Sequence, residues 1–239
     1  MTSAGIVRRM SGQPGVHDYG PDIYTEAEGD DDTLANLGPL RFMAGIWTSA
    51  AGADIHPVGP GSETTGPVVD GDEHNAFVER YELQPIDPQT NGPQRFYGLR
   101  YHTHIVKPGE VETFHDQVGY WLWEPAACTV LHSLAIPRGQ ALLAGGTAEP
   151  DATEFEVSAT LGSEVYGIVS NPFLDQAFRT VAFRIRVTAH DDGTWSYEEH
   201  TTMRMPDRVE LVDHVDRNTL RRIADPTPNP LAAAGPGGH

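Results

Sequence analysis

Histidine is the residue type best able to do chemistry in this chain. There are 11 histidines but one cysteine, Cys128, among 239 residues. A single cysteine excludes an intrachain disulfide and a thiolate-based zinc site, so metal or cofactor ligation falls to imidazole. His102 and His104, in Tyr-His-Thr-His, stand two apart on an expected strand, so their rings share one face. That is the spacing of a metal pair, and Glu110 follows, which gives a cupin-like metalloprotein reading. Against it, Pro137-Arg138-Gly139 runs into Gln-Ala-Leu-Leu with no further histidine, and two hydrogen-bonded histidines on a barrel wall fit the spacing as well. His115 lies in Phe-His-Asp-Gln-Val-Gly-Tyr-Trp, His132 follows Leu131, and His56 falls in an Asp-Ile-His-Pro turn. His214, in Leu-Val-Asp-His-Val-Asp, sits on the last expected strand, just after Met203 and Met205. A neutral imidazole on an apolar wall is a haem-ligand type, and also an ordinary satisfied core histidine. No Gly-x-Ser-x-Gly elbow or phosphate-binding Gly-Lys-Ser/Thr loop is present.

The elements that must position these residues read as strand after strand. Expected strands are 45–50, 77–84, 96–107, 114–124, 129–136, 140–146, 154–161, 166–170, 180–190, 194–205 and 211–223, rich in Val, Ile, Thr and aromatics. Pro108-Gly109, Pro137-Arg-Gly139 and Asp191-Asp-Gly-Thr194 punctuate them as turns. Short helices are expected at 39–44 and 172–178. Such spacing, with hardly a helix, predicts an all-β fold, a closed up-and-down antiparallel barrel of about ten strands or a sandwich. In 114–124, one face carries Phe114, Val118, Tyr120 and Leu122 and the other His115, Gln117, Trp121 and Trp123, a mixed pattern that suits a cavity wall.

The ends differ from the body. Residues 1–36 hold Asp18, Asp22, Glu26, Glu28 and Asp30–Asp32 among few apolar residues, and 225–239 are rich in Pro, Gly and Ala, so both read as disordered extensions of a 37–224 domain. The net charge of −18 argues against nucleic acid and anionic membranes as partners. No run is long and apolar enough for a membrane span and no secretory leader follows Arg9, so a cytoplasmic location is expected.

The order of segments resembles the nitrobindin family, a group of haem-binding barrels similar to fatty-acid-binding proteins. Leu37-Gly-Pro-Leu with Met43-Ala-Gly-Ile-Trp47 resembles its opening helix and Gly-x-Trp, and Phe114-His-Asp-Gln-Val-Gly-Tyr-Trp121 its His-x-Glu-x-Gly-Tyr strand. Thr129 to Gly139, then Trp195-Ser-Tyr, Met203 and Asp213-His-Val-Asp, follow in the family's order. The resemblance implies a ten-stranded barrel holding haem b, with His214 on the iron. Trp47, Trp121, Trp123 and Met203 would lie around the haem, and His56 or His115 on the distal side. It further implies nitric oxide binding, peroxynitrite isomerase activity, and barrels that pair as homodimers. The family's Gly-x-Trp-x-Gly-x-Gly-x-Tyr-Pro becomes Gly45-Ile-Trp-Thr-Ser-Ala-Ala-Gly-Ala-Asp-Ile-His-Pro57 here, with His56 in the tyrosine position. A long loop, 58–75, and an extra segment, 171–178, are further departures. Two alternatives stand beside haem: a haem-free carrier of a small hydrophobic ligand in the same cavity, and the cupin-like use of His102 and His104.

Overall fold

The computed structural model describes residues 32–49, 52–59, 61 and 63–227. The strands are β1 (Gly45–Thr48), β2 (Gly52–Pro57), β3 (Val68–Val69), β4 (Asp72–Asn91), β5 (Gln94–Val106), β6 (Thr113–Glu124), β7 (Thr129–Ile136), β8 (Gln140–Thr147), β9 (Glu154–Thr160), β10 (Ile168–Ser170), β11 (Arg179–Ala189), β12 (Trp195–Arg204) and β13 (Val212–Ala224). The helices are short: α1 (Thr33–Asn36), α2 (Pro172–Ala177) and a 3-10 turn over Gly38–Met43. β1 and β2 act as one interrupted stave, since both pair with β4 on one side and β13 on the other. They close a ten-stave antiparallel barrel in which every other neighbour is the next long strand along the chain. Closure leaves most of each strand paired on both sides.

The expected strands are present, and three local features are new. β2 forms where a turn was expected, because Gly52 lets its backbone lie against the Phe77 ring; a Cβ there would come within 2.1 Å of that ring. β4 runs through Pro85 and Pro88 because its far half has passed the end of β1, whose last partner is Leu83, and pairs with β5 alone. Proline is tolerated on such an edge, and the register shift between Ile86 and Gln89 absorbs the second one. β8 meets β9 only at Gly145 and Ser158, while its first half pairs with β10. α2 follows directly, its N-terminus capped by the Asn171 side chain, which accepts from the amides of Phe173 and Leu174.

One end of the barrel is a solid floor. Leu37, Leu40 and Met43 from the turn before β1 pack on Trp47, Trp123 and Trp195, all essentially inaccessible. Gly38 has φ of 55°, and its missing Cβ makes room for the Trp123 indole, 2.4 Å from where that carbon would sit. α1 belongs to this plug: Asp32 caps it, Thr33 Oγ1 donates to the Ile86 carbonyl at 2.7 Å, and Leu34 packs on the core. The folded body therefore begins slightly before residue 37. The rest of the two expected disordered ends, 1–31 and 228–239, lies outside the described residues. Among the described residues, no helix is long and apolar enough to cross a membrane.

Candidate functional site

The other end of the barrel is hollow. A cavity of about 470 Å³ opens between the β2–β13–β12 wall and α2. One side is apolar, with Leu134, Leu142, Phe183 and Ile185 from the barrel and Leu174 and Phe178 from the α2 segment. The facing side is a grid of inward residues on three neighbouring strands. On β2, Asp54 and His56 point inward; on β13, Asp216 lies opposite Asp54, and His214 is the next inward residue; on β4, Glu73 lies opposite His56 and Asn75 opposite Asp54.

Asp54 is the centre of this grid. Its Oδ1 is 2.7 Å from His56 Nδ1 and its Oδ2 is 2.5 Å from His214 Nε2. Asp216 Oδ2 stands 3.3 Å from the same His214 nitrogen, and Glu73 Oε2 is 3.4 Å from His56 Nε2. The two imidazoles meet edge to face at 5.5 Å. Outer partners fix the frame: Asn75 Nδ2 donates to Asp54, Lys107 Nζ donates to Asn75 Oδ1 at 2.9 Å, and the amides of Thr65 and Gly66 donate to Glu73.

The electrostatics follow from this arrangement. Burial pushes the Asp54 carboxyl up, but the hydrogen bonds from His214 and His56 outweigh it and hold the group well below the ordinary carboxylate range. Burial works against a charge on His214, yet Asp216 and Asp54 overcome it and keep the ring protonated well above the usual histidine range. Deeper in, Glu79 is buried and receives Thr103 Oγ1 at 2.5 Å, Tyr197 Oη at 2.9 Å and Asn218 Nδ2 at 2.7 Å; burial raises it. Glu199 is pushed up to about 8, by burial first and then by Asp216. His115, which lines the cavity from β6, is lowered by burial, and its Nε2 is 3.3 Å from Gln117 Oε1.

The expected site residues divide between cavity and elsewhere. His214, His56, His115 and Met203 line the cavity. Trp47 and Trp123 lie in the floor, and Trp121 stacks on His132 with ring centroids 3.8 Å apart; none of the three indoles reaches the cavity wall. Their bulk fills the closed half because the turn before β1 plugs that end. His102 and His104 share a face as their spacing required, but it is the outer one, where they bond to Asp116 at 2.9 Å and Thr113 at 3.0 Å. Among the described residues, the group of three donors able to hold a metal is Asp54, His56 and His214, not the β5 pair. Sequence reading missed Asp54, Glu73, Glu79, Glu199 and Asp216. The available signal was acidic residues at inward positions of otherwise apolar alternations, such as Phe77-x-Glu79-x-Tyr81 and Tyr197-x-Glu199.

Comparison with known proteins bears on this geometry. The family described as THAP4-like, heme-binding beta-barrel domain matches residues 36–222. No curated protein matches. Among solved structures, that of Rv2717c from M. tuberculosis is similar in fold, with a TM-score of 0.52 and 21% identity over 80% of this chain and 97% of that one.

Proposed function

The chain belongs to the family of THAP4-like, haem-binding β-barrel domains, and from that premise we propose that it binds one amphipathic small molecule inside the barrel. The ligand's apolar body lies against Leu142, Phe183 and Ile185, and its polar group meets the histidine–carboxylate grid. The observation that carries this reading is the two-sided cavity of about 470 Å³, within the usual size of a small-molecule site. α2, with Leu174 and Phe178 on its inner side, covers part of the entrance. A ligand bound here exchanges contact with water for contact with apolar surface and gains roughly 25 cal/mol per Å² buried.

Haem is the ligand that the family's description names, and the apolar wall suits a macrocycle. The axial bond is a different matter. A haem iron needs a neutral nitrogen with its lone pair facing the cavity. His214 Nε2 is instead held by Asp54 at 2.5 Å and Asp216 at 3.3 Å, and those carboxylates keep a proton on the ring. The residues present, as they are paired here, do not fit a His214-ligated haem. The test is a haemin titration of the wild type and His214→Ala, alongside an environment-sensitive apolar dye. The expected result is one dye site per chain, weakened at least tenfold by Phe183→Ala, and a haemin spectrum that is the same in both proteins. A sharp Soret band at one haemin per chain, abolished by His214→Ala, would assign the cavity to His214-ligated haem. Absence of dye and haemin binding alike would remove the binding reading itself.

A further inference from the structure

The same grid has the composition of a non-haem metal centre: a small ion can take Asp54 as a ligand and displace the proton held between Asp54 and His214, whereas a haem iron would need His214 free of that carboxylate. We propose that Asp54, His56 and His214 form a mononuclear site for a divalent first-row transition metal, with its remaining positions open to the cavity.

The first support is placement. Donor atoms of the three side chains lie within 4.8 Å of one another. Donors around one such ion lie roughly 3–4 Å apart, given metal–ligand bonds near 2 Å, so the three side chains already stand near the spacing that an ion requires. The strands make the placement obligatory: residues two apart on β2 share a face, and the β2–β13 register brings His214 alongside. Two imidazoles and one carboxylate with open positions suit iron, zinc or manganese rather than calcium or magnesium, which prefer all-oxygen shells.

The second support is charge. Asp54 and Asp216 are directly opposite across the ladder, an arrangement that is unfavourable for like charges. Glu73 also faces the cavity, while Arg138 is the sole arginine or lysine among its described lining residues. A dication bound at Asp54 would take over the compensation of Asp54 and Asp216 that a proton on His214 supplies in its absence.

The third support is the outer shell. Metal-binding side chains are usually oriented by further hydrogen bonds. Here Asn75 and Lys107 brace Asp54, and Glu73, anchored by the Thr65 and Gly66 amides, braces His56. The open positions face the same hollow as the apolar wall. A ligand with an anionic oxygen head would thus reach the metal while its body lies on Phe183 and Leu142. That last point rests on the cavity-binding reading; the metal site does not.

The test is titration of the full, chelator-treated chain with cobalt(II) and zinc(II), followed by ligand-field absorbance and calorimetry. The expected result is one ion per chain, with affinity reduced more than tenfold by each of Asp54→Asn, His56→Ala and His214→Ala. His102→Ala, on the outer face, leaves it unchanged. Should a grid variant fail to fold, histidine NMR of the wild type decides: cobalt shifts the ring signals of His56 and His214 and spares those of His102 and His104. Failure of the wild type to take up an ion, or uptake indifferent to the three substitutions, would overturn the proposal. Dye binding by the metal-free protein separates that failure from failure of the cavity reading.

Discussion

Two histidines in this barrel, His132 and His214, lie in opposite kinds of surroundings. His132 is fully buried in the aromatic half, stacked on Trp121 with its rings 2° from parallel and its Nε2 2.9 Å from Tyr101 Oη. Among the described residues no carboxylate bonds to it, and burial pushes its ring down to about 3. His214 is set among Asp54 and Asp216 and goes the other way. The fold supplies both with a strand and an inward direction. What differs is whether the neighbouring inward residues are aromatic or acidic. The closed half is therefore where this barrel is held together, and the open half is where the cavity lies.

The largest expected effect on this contrast comes from the closed half. Trp121→Ala removes the ring under His132 and the Nε1 donor to Tyr81 Oη, and should cost about 3–5 kcal/mol in urea unfolding. Ligand uptake per folded molecule should survive, because the indole is outside the cavity wall. Loss of the cavity before loss of the fold would blur the division.

The pH dependence comes next, and the two histidines give it opposite signs. The folded protein keeps His132 neutral to about 3, whereas the unfolded chain takes a proton near 6.5. The stability linked to His132 is complete above pH 6.5 and is lost as pH falls toward 3, amounting to several kcal/mol. His132→Phe should flatten that acid limb, as measured by urea midpoints across the range. In the metal-free protein, the raised His214 works inversely: its contribution is present below pH 6.5 and is lost as pH rises through its elevated value. Asp54→Asn should shrink this alkaline limb and lower the His214 titration seen by NMR, with a stability loss of about 1–3 kcal/mol.

The smallest effect is expected outside the barrel. Arg186→Ala breaks a pair with Glu156 at 3.1 Å between largely exposed side chains, and should change stability by at most about 1 kcal/mol. A larger loss would mean that the outer charge ladder does more than solvate the surface.

Most of the barrel was legible because alternation is a local signal. Phe183, Ile185 and Val187, two apart along β11, share its buried face as strand alternation requires. β2 was not legible, since Gly-Ala-Asp-Ile-His-Pro carries little β propensity and is a strand only because β4 and β13 flank it. The site was half legible. His214 stands out from sequence as an inward histidine on the last strand, but its chemistry is set by Asp54, 160 positions away, and such a pairing is visible only after the barrel closes. The tryptophans misled for a related reason: nothing local tells which half of a strand faces a plug and which a hollow.

Imidazole ¹⁵N NMR of the metal-free chain of 239 residues at pH 7.5 tests the central division most directly. The account predicts an imidazolium at His214 with both nitrogens protonated, and a neutral ring at His132. A neutral His214 at that pH would contradict it, and would return the Nε2 lone pair to the cavity as an available ligand for iron.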